Sequence, residues 1–440
     1  KDESMFIIDA AHGPADLAKK DVVLNAWTMS ITPREEWRQM FIEAWRLERD
    51  YFYDKNMHGV DWPKMRDKYL PLVDRVTTRA ELSDVIAQMV AELSALHTFV
   101  RGGDLRQGKD KVRIGSLGAT LVRDVANGGY RVQHVFQSDP DVPDRLAPLA
   151  RPGVNVVAGD IIESIDGVPT LSTSDCTSLL RQKADKQVLL RVKPAAGGDG
   201  RDVIVVPIST ESASDLRYHE WEYTRRLDVE KASDNQIGYL HLRAMGGGDY
   251  SDFAKGYYPV FNRQGLIIDV RHNRGGNIDS WILGKLLRQA WFFWSDRVGA
   301  PSTWNMQYAF RGHIVVLCNE RTASDGEAFA EGFKRLGLGK VIGTRTWGGE
   351  IWLSSSNFLV DQGIATAAET GVYGPDGTWL IEGHGVDPDI IVDNLPHATF
   401  KGEDAQLKAA IEHLKKLIAE KPVLPVKNPP KPDKSFKPAQ

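Results

Sequence analysis

The chain has 440 residues, which corresponds to about three domains at roughly 150 residues each. Its 42% hydrophobic and 26% charged residues are typical of a globular protein and argue against a fibrous or disordered chain. The net charge of −4 gives no basic footprint for nucleic acid, and no apolar run approaches the ~20 residues of a membrane helix. We therefore expect neither a nucleic-acid partner nor a membrane-spanning segment.

The numbers and spacing of cysteine and histidine residues argue against metal and disulfide sites. The two cysteines, Cys176 and Cys318, are too few for a disulfide framework and are compatible with a reducing compartment. There is no H-E-x-x-H or C-x-x-C motif, and the 11 histidines are scattered, so no metal or other cofactor is expected. The chain does not begin with Met, which is compatible with the loss of a leader or of an upstream domain.

The first part of the chain is predicted to be helical. Residues 1–28, with one short strand at 22–24, are interpreted as an N-terminal segment or linker, and a helical domain follows over 29–105. The run T-P-R-E at residues 32–35 combines a capping box with proline at the first helical position. Large apolar residues then recur at helical spacing, which favours a core face over a binding platform.

Two further helices are predicted in this domain. One starts at Asp61, where D-W-P combines a capping residue with an early proline. The other covers residues 79–96 and ends at the run L-H-T-F of residues 96–99.

Residues 106–212 change character and contain short β-rich runs. A strand at 161–165 ends in an Asp-Gly turn, and residues 172–182 are predicted to be helical. The run G-D-I-I-E-S-I-D-G at residues 159–167 resembles a characteristic PDZ segment, so we predict a PDZ-like β-barrel, with another small β-barrel as the alternative. The further strands are predicted at 120–124, 130–135, 187–192 and 203–207.

From residue 213 to 422, short apolar strands alternate with helices. This alternation predicts a parallel sheet with helical crossovers, hence an α/β domain. The glycines at 246–248 lack the Lys-Ser/Thr of a phosphate loop and are predicted to form a turn. The tail over 423–440 is rich in Pro and Lys and is predicted to be an extended arm. The strands are predicted at 238–243, 265–270 and 313–319, and the helices at 278–287, 327–336 and 405–418.

Ser324 lies between a predicted strand and a predicted helix, in the run T-A-S-D-G-E of residues 322–327. A serine at such a turn is exposed at the helix N-terminus, where unpaired amides favour developing negative charge, as in a nucleophile elbow. Ser and Asp are also preferred helix caps, so the local sequence leaves both interpretations open.

A second turn follows the strand at 265–270, in the run R-H-N-R-G-G-N of residues 271–277. Two glycines let the backbone approach a substrate closely, and their N–H groups have the donor arrangement that an oxyanion requires. By itself, the run is also an ordinary strand-to-helix turn.

Together, these segments resemble the catalytic part of the tricorn-type serine peptidases, relatives of the tail-specific C-terminal processing peptidases. The resemblance covers about residues 30–422 in the family's order of helical, PDZ and α/β domains. It implies a multidomain α+β fold with a ClpP/crotonase-like catalytic domain. It also implies two upstream β-propellers that these residues lack. The matching segments are ITPREEWRQMFIEAWRLERDYFYDKNMHGVDW, ALHTF, DVRHNRGGNID, ASDGEAFAEGFKRLGLGKVIGTRTWGG and EGHGVDPDI.

The resemblance assigns a role to each matching residue. Ser324 falls on the family's nucleophile, His97 on its general base and Glu382 on the glutamate that orients the histidine side of the relay. Gly276 and Asp325 fall on the residues whose backbone amides form the oxyanion hole. This set is chemically coherent, because a serine hydroxyl needs a base and the base needs a group that orients it.

Three departures from the family pattern affect this assignment. Many relatives carry a lysine base about 25 residues after the serine, but the run W-G-G-E at 347–350 has none, which favours His97 as the base. Leu96 stands where tricorn-type peptidases have a serine that links histidine and glutamate. Trp294 falls near the acid that selects basic P1 side chains, so an apolar pocket is expected unless Asp296 substitutes for that acid.

The sequence thus predicts a serine endopeptidase that cleaves peptides or unfolded polypeptides through an acyl-enzyme. The alternatives are a non-catalytic, PDZ-containing peptide-binding scaffold, which Leu96 keeps open, and a periplasmic tail-specific protease. The resemblance implies a homo-oligomer, a trimer or a hexamer. A cytoplasmic location is expected, with a periplasmic or secreted one if a leader was removed.

Overall fold

The computed structural model describes residues 5–10, 13–14, 17, 20–23, 28–105, 108, 110–299, 303–353 and 357–435. It divides into two compact units. The first comprises Lys1–Ser94, Thr98–Arg106 and Leu353–Glu369, and the second comprises Ala95–His97, Gln107–Trp352 and Thr370–Gln440.

Helices and strands are numbered in chain order. The helices are α1 (Pro33–Tyr51), α2 (Trp62–Val73), α3 (Arg79–Ala91), α4 (Thr210–Ala232), α5 (Gly247–Tyr257), α6 (Asp279–Leu286), α7 (Asn305–Tyr308), α8 (Asp325–Arg335), α9 (Pro396–Phe400) and α10 (Ala405–Glu420). The strands are β1 (Val100–Gly102), β2 (Gly115–Ser116), β3 (Ala119–Asp124), β4 (Gly129–Val135), β5 (Ile161–Ile165), β6 (Val168–Pro169), β7 (Val188–Lys193), β8 (Arg201–Val205), β9 (Ile208–Ser209), β10 (Ile237–His241), β11 (Gly265–Asp269), β12 (His313–Cys318), β13 (Gly339–Gly343), β14 (Trp352–Leu353), β15 (Gly363–Ala365), β16 (Ala368–Thr370) and β17 (Ile390–Ile391).

The first unit is built around α1, α2 and α3, and the apolar stripe predicted for α1 is buried. Met40, Phe41 and Trp45 face the core. The indole N–H of Trp45 donates to the carbonyl of Trp62 at 2.9 Å, and the Trp62 indole donates back to the Trp45 carbonyl at 3.0 Å. Because these reciprocal hydrogen bonds join α1 to the start of α2, the aromatic stripe is structural core.

The helix ends in this unit follow the sequence prediction only in part. The Asp61 carboxylate caps α2 by accepting the Lys64 N–H at 3.1 Å, as expected. The predicted capping box at Thr32 is wrong, because its side chain makes no capping hydrogen bond, and α1 begins at Pro33. The third helix ends at Ala91 rather than 96, since Ser94 has a left-handed φ of 51° that a helix cannot contain.

In the second unit, residues 115–209 contain the predicted β-rich domain. Its antiparallel sheet has the strand order β3-β4-β5-β7-β8, with β6 paired to β5. The strand predictions are confirmed, and the Asp-Gly turn joins β5 to β6. The predicted helix over 172–182 is wrong, because this range contains only the end of one short 3₁₀ helix, Thr170–Ser172, and a second one, Cys176–Leu180. Asp175 accepts the Thr177 N–H and hydroxyl there, a local bonding pattern that competes with a longer helix.

The α/β region forms a parallel sheet in the order β10-β11-β12-β13-β17, as the alternating pattern predicts. Residues of α4 and α10 share one buried core with the sheet, and residues of α5, α6 and α8 share another. Both faces are therefore covered, which explains why β10 and β11 are buried at every position. The carboxyl ends of parallel strands meet at one edge of a sheet, the usual place for a ligand site in this architecture.

Two smaller sequence predictions change. The glycines at 246–248 begin α5 instead of forming a turn, with the Asp249 carboxylate accepting the Gly246 N–H at 2.9 Å. Val22 and Val23 are not part of a strand, and Leu24 lies outside the described residues. The last helix prediction is confirmed by α10. Over the described ranges, no helix combines the length and apolarity needed to cross a membrane.

Candidate active site

Ser324 lies between β12 and α8, directly before the first residue of the helix. Its backbone has φ 54° and ψ −130°, an uncommon conformation for a residue with a side chain, and such strain concentrates at functional sites. The turn after β11 lies against it. A Cβ atom built on Gly275 would come within 2.5 Å of the Ser324 Cβ and 2.9 Å of its Oγ. Only glycine therefore fits beside the serine.

Gly276 is held by close contact with the segment that follows β10. A Cβ atom built on it would lie 2.0 Å from the Met245 carbonyl oxygen. The Met245 N–H donates to the Gly275 carbonyl at 2.8 Å, and the Asn277 N–H donates to the Met245 carbonyl at 2.9 Å. These hydrogen bonds are made by Gly275 and Asn277, the residues on either side of Gly276. Within the described ranges, the N–H groups of Gly276 and Asp325 donate no hydrogen bond.

A buried glutamate that the sequence analysis did not single out organises the serine loop. The Glu327 Oε2 atom accepts the N–H of Ser324 and the N–H of Gly349, each at 3.0 Å. Its Oε1 atom accepts the Thr346 hydroxyl and the Gly348 N–H, both at 2.6 Å. Burial raises the pKa of Glu327, and these hydrogen bonds oppose that shift. The carboxylate therefore joins the start of α8 to the 346–349 segment.

His97 has the tautomer that a general base requires. Its Nδ1 atom lies 2.6 Å from the carbonyl oxygen of Ile351, and a carbonyl can only accept, so Nδ1 carries the proton. In the neutral ring, Nε2 is then unprotonated. The ring packs edge-to-face on Trp347, with centroids 6.0 Å apart. Burial lowers the pKa of His97, while the bond to Ile351 and the charge of Glu382 raise it in part, so the neutral form is favoured at pH 7.

Glu382 holds the backbone on both sides of His97. Its Oε1 atom accepts the Leu96 N–H at 2.8 Å. Its Oε2 atom accepts the Glu350 N–H at 2.7 Å and the Ile351 N–H at 3.2 Å. Because the contact at Leu96 is made by a backbone N–H, the side chain at that position does not decide whether it forms.

Two further carboxyl groups near Ser324 are shifted towards the protonated form. The Asp325 Oδ2 atom accepts the N–H of Ile278 at 2.7 Å and of Asp279 at 3.1 Å. Burial, followed by the charge of Asp279, raises the pKa of Asp325 to about 7. Burial, followed by the charges of Glu327 and other carboxylates, raises the pKa of Glu350 to about 9. No group of three or more His, Cys, Asp or Glu side chains that could hold a metal ion is found in the described part of the chain.

The two candidate specificity residues lie on an exposed segment before α7. Trp294 is exposed and packs edge-to-face on Phe292, with ring centroids 4.7 Å apart. The ammonium group of Lys431 donates to the Asp296 carbonyl at 3.2 Å and to the Ser295 hydroxyl at 2.8 Å. The aromatic side chains of this segment are accessible to a ligand, and among the described residues it makes no hydrogen bond or ring contact with Ser324.

Substitution by glutamine is expected to lower the free energy of unfolding at Glu327 but to be tolerated at Glu350. Glu327→Gln replaces an acceptor of four hydrogen bonds by an amide whose NH₂ faces N–H donors, so we expect a loss of about 2–4 kcal/mol in the free energy of unfolding. The Glu350 Oε2 atom makes no hydrogen bond within the described residues. Since the pKa of Glu350 is raised to about 9, its neutral amide substitute should be tolerated at pH 7.

The pH dependence of this pair supplies the measurement. Between pH 4.5 and about 9 the folded chain keeps a proton on Glu350 that the unfolded chain releases, so wild-type stability falls as pH rises. The slope is at most about 1.4 kcal/mol per pH unit. Urea unfolding at pH 5 and pH 8 should show Glu350→Gln gaining stability relative to wild type at the higher pH. A loss above about 2 kcal/mol in this variant at pH 8 would contradict the assignment.

Family models match three successive parts of the chain. They are the tricorn protease C1 domain at residues 33–91, the tricorn protease PDZ domain at 115–210 and peptidase family S41 at 236–392. Ser324, Gly276 and Glu382 lie within the last range.

Several full-length proteins are also similar to this chain. Tricorn protease homolog 1 from Streptomyces coelicolor is 37% identical over 411 residues, which cover 93% of this chain and 38% of that protein. Tricorn protease from Thermoplasma acidophilum is 32% identical over 380 residues, covering 86% of this chain and 35% of that protein. The crystal structure of the tricorn protease superposes with a TM-score of 0.84 at 31% identity, covering 91% of this chain and 38% of that one.

The chain therefore spans less than half the length of these relatives, over regions of C1, PDZ and peptidase type. The mixed helix and sheet architecture agrees with that order of domains. Residues 236–392 thus match peptidase family S41, and they follow regions that match the tricorn protease C1 and PDZ domains.

Proposed function

We propose that this chain is a serine endopeptidase that cleaves peptides or unfolded polypeptides through an acyl-enzyme. The observation that carries the proposal is the position of Ser324, which stands at the start of α8 in a strained backbone conformation and touches the glycine turn at Gly275. Ser324 lies within residues 236–392, the range that matches peptidase family S41, and this match supports the hydrolysis of peptide bonds.

In the proposed reaction, the Ser324 hydroxyl attacks the carbonyl carbon of the scissile bond while His97 Nε2 takes its proton. The resulting oxyanion accepts hydrogen bonds from the N–H groups of Gly276 and Asp325. His97 then gives the proton to the departing amine, and water attacks the acyl-enzyme by the same route. The tautomer set by Ile351 supports this role, because it leaves Nε2 able to accept a proton.

Glu382 acts in this proposal as a positioning residue. It accepts the N–H of Leu96 on one side and that of Ile351 on the other, so it holds the two backbone segments between which His97 is oriented. The serine that tricorn-type peptidases carry at the position of Leu96 is then not needed for this link. The glutamate charge also favours the imidazolium that forms during catalysis, since it raises the pKa of His97 against the effect of burial.

We also propose the domain division stated from the sequence: a helical domain at 29–105, a PDZ domain at 106–212 and a peptidase domain at 213–422. The family-model ranges fall inside these bounds and support them. Residues 1–28 and 423–440 are then a linker and a tail.

A cytoplasmic homo-oligomer, trimeric or hexameric, is proposed from the resemblance to tricorn-type peptidases. The apolar surface before α7 supports association between copies, because large exposed apolar patches mark interaction sites. Trp291 is 74% exposed, Trp294 54% and Val298 84%.

A panel of fluorogenic peptides that differ only at P1 tests the proposed activity and its specificity together. Burying a large apolar P1 side chain against Trp294 would contribute about 1.5–3 kcal/mol, so we expect aromatic and aliphatic P1 residues to be preferred by about 10- to 100-fold. A basic P1 residue would need a buried carboxylate partner, because a desolvated unpaired cation costs several kcal/mol.

Two outcomes of the panel would count against these proposals. Absence of cleavage for every peptide would contradict the peptidase function. A strong preference for Arg or Lys that collapses in Asp296→Asn would contradict the apolar pocket and make Asp296 the specificity residue. Glu163→Gln, which removes an acid from β5 in the PDZ domain, is the charge-matched control.

A further inference from the structure

A basic cavity of about 470 Å³ opens beside the turns that follow β10, β11 and β12. Its walls combine two aromatic rings from α4 with a histidine and three arginines from those turns. The lining residues are Tyr218, Trp221, Arg243, His272, Arg274 and Arg321.

The arginines of this cavity are not all neutralised. Arg243 pairs with Asp215 at 2.8 Å and lies over the Tyr218 ring, 4.3 Å from its centroid. Arg274 and Arg321 make no ion pair with any residue in the described ranges. The side of the cavity formed by the two later turns therefore presents two guanidinium groups without a protein counter-ion, which is the arrangement that a planar oxyanion such as carboxylate fits.

Hydrogen bonds join the three turns that carry these arginines. The Asn319 Oδ1 atom accepts the N–H of His272 and the N–H of Arg321, each at 3.1 Å. The Arg274 N–H donates to the Arg243 carbonyl at 3.1 Å. The guanidinium groups thus project from three turns that are joined to one another, so a ligand would meet a preformed site.

Two arginines of the cavity are close in the chain to the proposed nucleophile or to the glycine beside it. Arg274 directly precedes Gly275, the residue whose Cα lies against Ser324. Arg321 precedes Ser324 by three residues, a span of at most about 11 Å between Cα atoms. Both arginines therefore belong to the turns that also carry Ser324 and the glycine that contacts it.

We propose that this basic cavity binds a carboxylate group of a peptide ligand, supplied by an acidic side chain or by the free C-terminus. Arg274 and Arg321 bind the carboxylate, and the Tyr218 and Trp221 rings contact the apolar part of the residue that carries it. The identification of that peptide as a substrate rests on the proposed function. Binding itself does not, so it can be tested without catalysis.

The test measures equilibrium binding of fluorescent peptides by anisotropy to the full chain carrying Ser324→Ala, which cannot form an acyl-enzyme. One peptide series exchanges Gln for Glu at each position in turn, and a second exchanges a C-terminal amide for a free acid. We expect at least one exchange to tighten binding by about 10-fold, the effect of one good charge-assisted contact. In the Arg274→Gln/Arg321→Gln background, this ratio should fall below about 2-fold. Arg181→Gln removes an exposed arginine of the PDZ domain and should leave the ratio unchanged.

Each outcome decides the matter. Tightening by Glu alone identifies a subsite for an acidic side chain, and tightening by the free acid alone identifies recognition of the C-terminus. Equal binding of all pairs, or a preference that survives the double arginine variant, overturns the proposal and assigns any remaining preference to another surface, such as the PDZ domain. If the native chain cleaves no peptide but the arginine-dependent ratio is found, the proposed peptidase function fails while the carboxylate site stands.

Discussion

Replacing Ser324 by alanine is expected to reduce peptide cleavage by at least three orders of magnitude. Without its nucleophile, a serine peptidase retains only the contributions of binding and oxyanion stabilisation. Stability should change little, because alanine keeps the Cβ atom that lies beside Gly275 and has the same difficulty as serine at φ 54°. The thermal midpoint should therefore stay within a few degrees of wild type.

The measurement combines peptide cleavage with a fluorophosphonate probe and peptide mapping. The probe should label Ser324 in the native chain and leave the Ser324→Ala chain unlabelled. Ser251→Ala, at an exposed position on α5, is the matched control and should retain both labelling and activity. Retention of more than about 1% of native activity by Ser324→Ala would show that another residue is the nucleophile.

Removal of His97 is expected to be nearly as damaging as removal of Ser324. Since nucleophile and base act as one unit, the His97→Ala/Ser324→Ala chain should lose little more activity than either single variant. The exposed His397 offers a matched control in His397→Ala, which should keep native activity. Fully additive losses would mean that the two residues act independently.

The pH profile gives an independent test of the same residue. Activity should increase as pH rises through the pKa of His97, because only the neutral ring can accept the serine proton. Burial lowers this pKa, so the midpoint of the rise should lie below the ordinary histidine value of about 6.5. A profile controlled by a group of pKa 9–10 would indicate a lysine base instead.

Prediction of the helices and strands succeeded where burial leaves a clear pattern in the sequence. The apolar runs of β11 and β12 are almost wholly buried between two layers of helices, and α10 buries one face. The long helix α4 escaped prediction, because only Leu216 and Val229 among its 23 residues are buried and no apolar stripe marks it. The glycines at 246–248 are predicted to form a turn but begin α5, since three consecutive glycines carry no side-chain signal for a helix.

The serine loop contained more information than the sequence analysis used. Ser324 and Glu327 form an S-x-x-E pattern at a helix start, which is a known signal for a glutamate that reaches back to the serine backbone. The same carboxylate also binds Thr346, Gly348 and Gly349, and the sequence does not indicate those partners. Their separation in the chain makes these contacts a property of the folded domain.

The order of helical, PDZ and α/β regions, the parallel sheet, and a serine and a glycine turn at the ends of its strands could all be predicted from the amino-acid sequence. These features are predictable because periodicity, caps and turn residues act over short stretches of chain. The way in which His97 and Glu382 are held depends on contacts between distant parts of the folded chain. The His97–Ile351 contact joins residues 254 positions apart, and the Leu96–Glu382 contact joins residues 286 positions apart. Such contacts depend on how distant segments pack, and burial at that point also sets the pKa of the histidine.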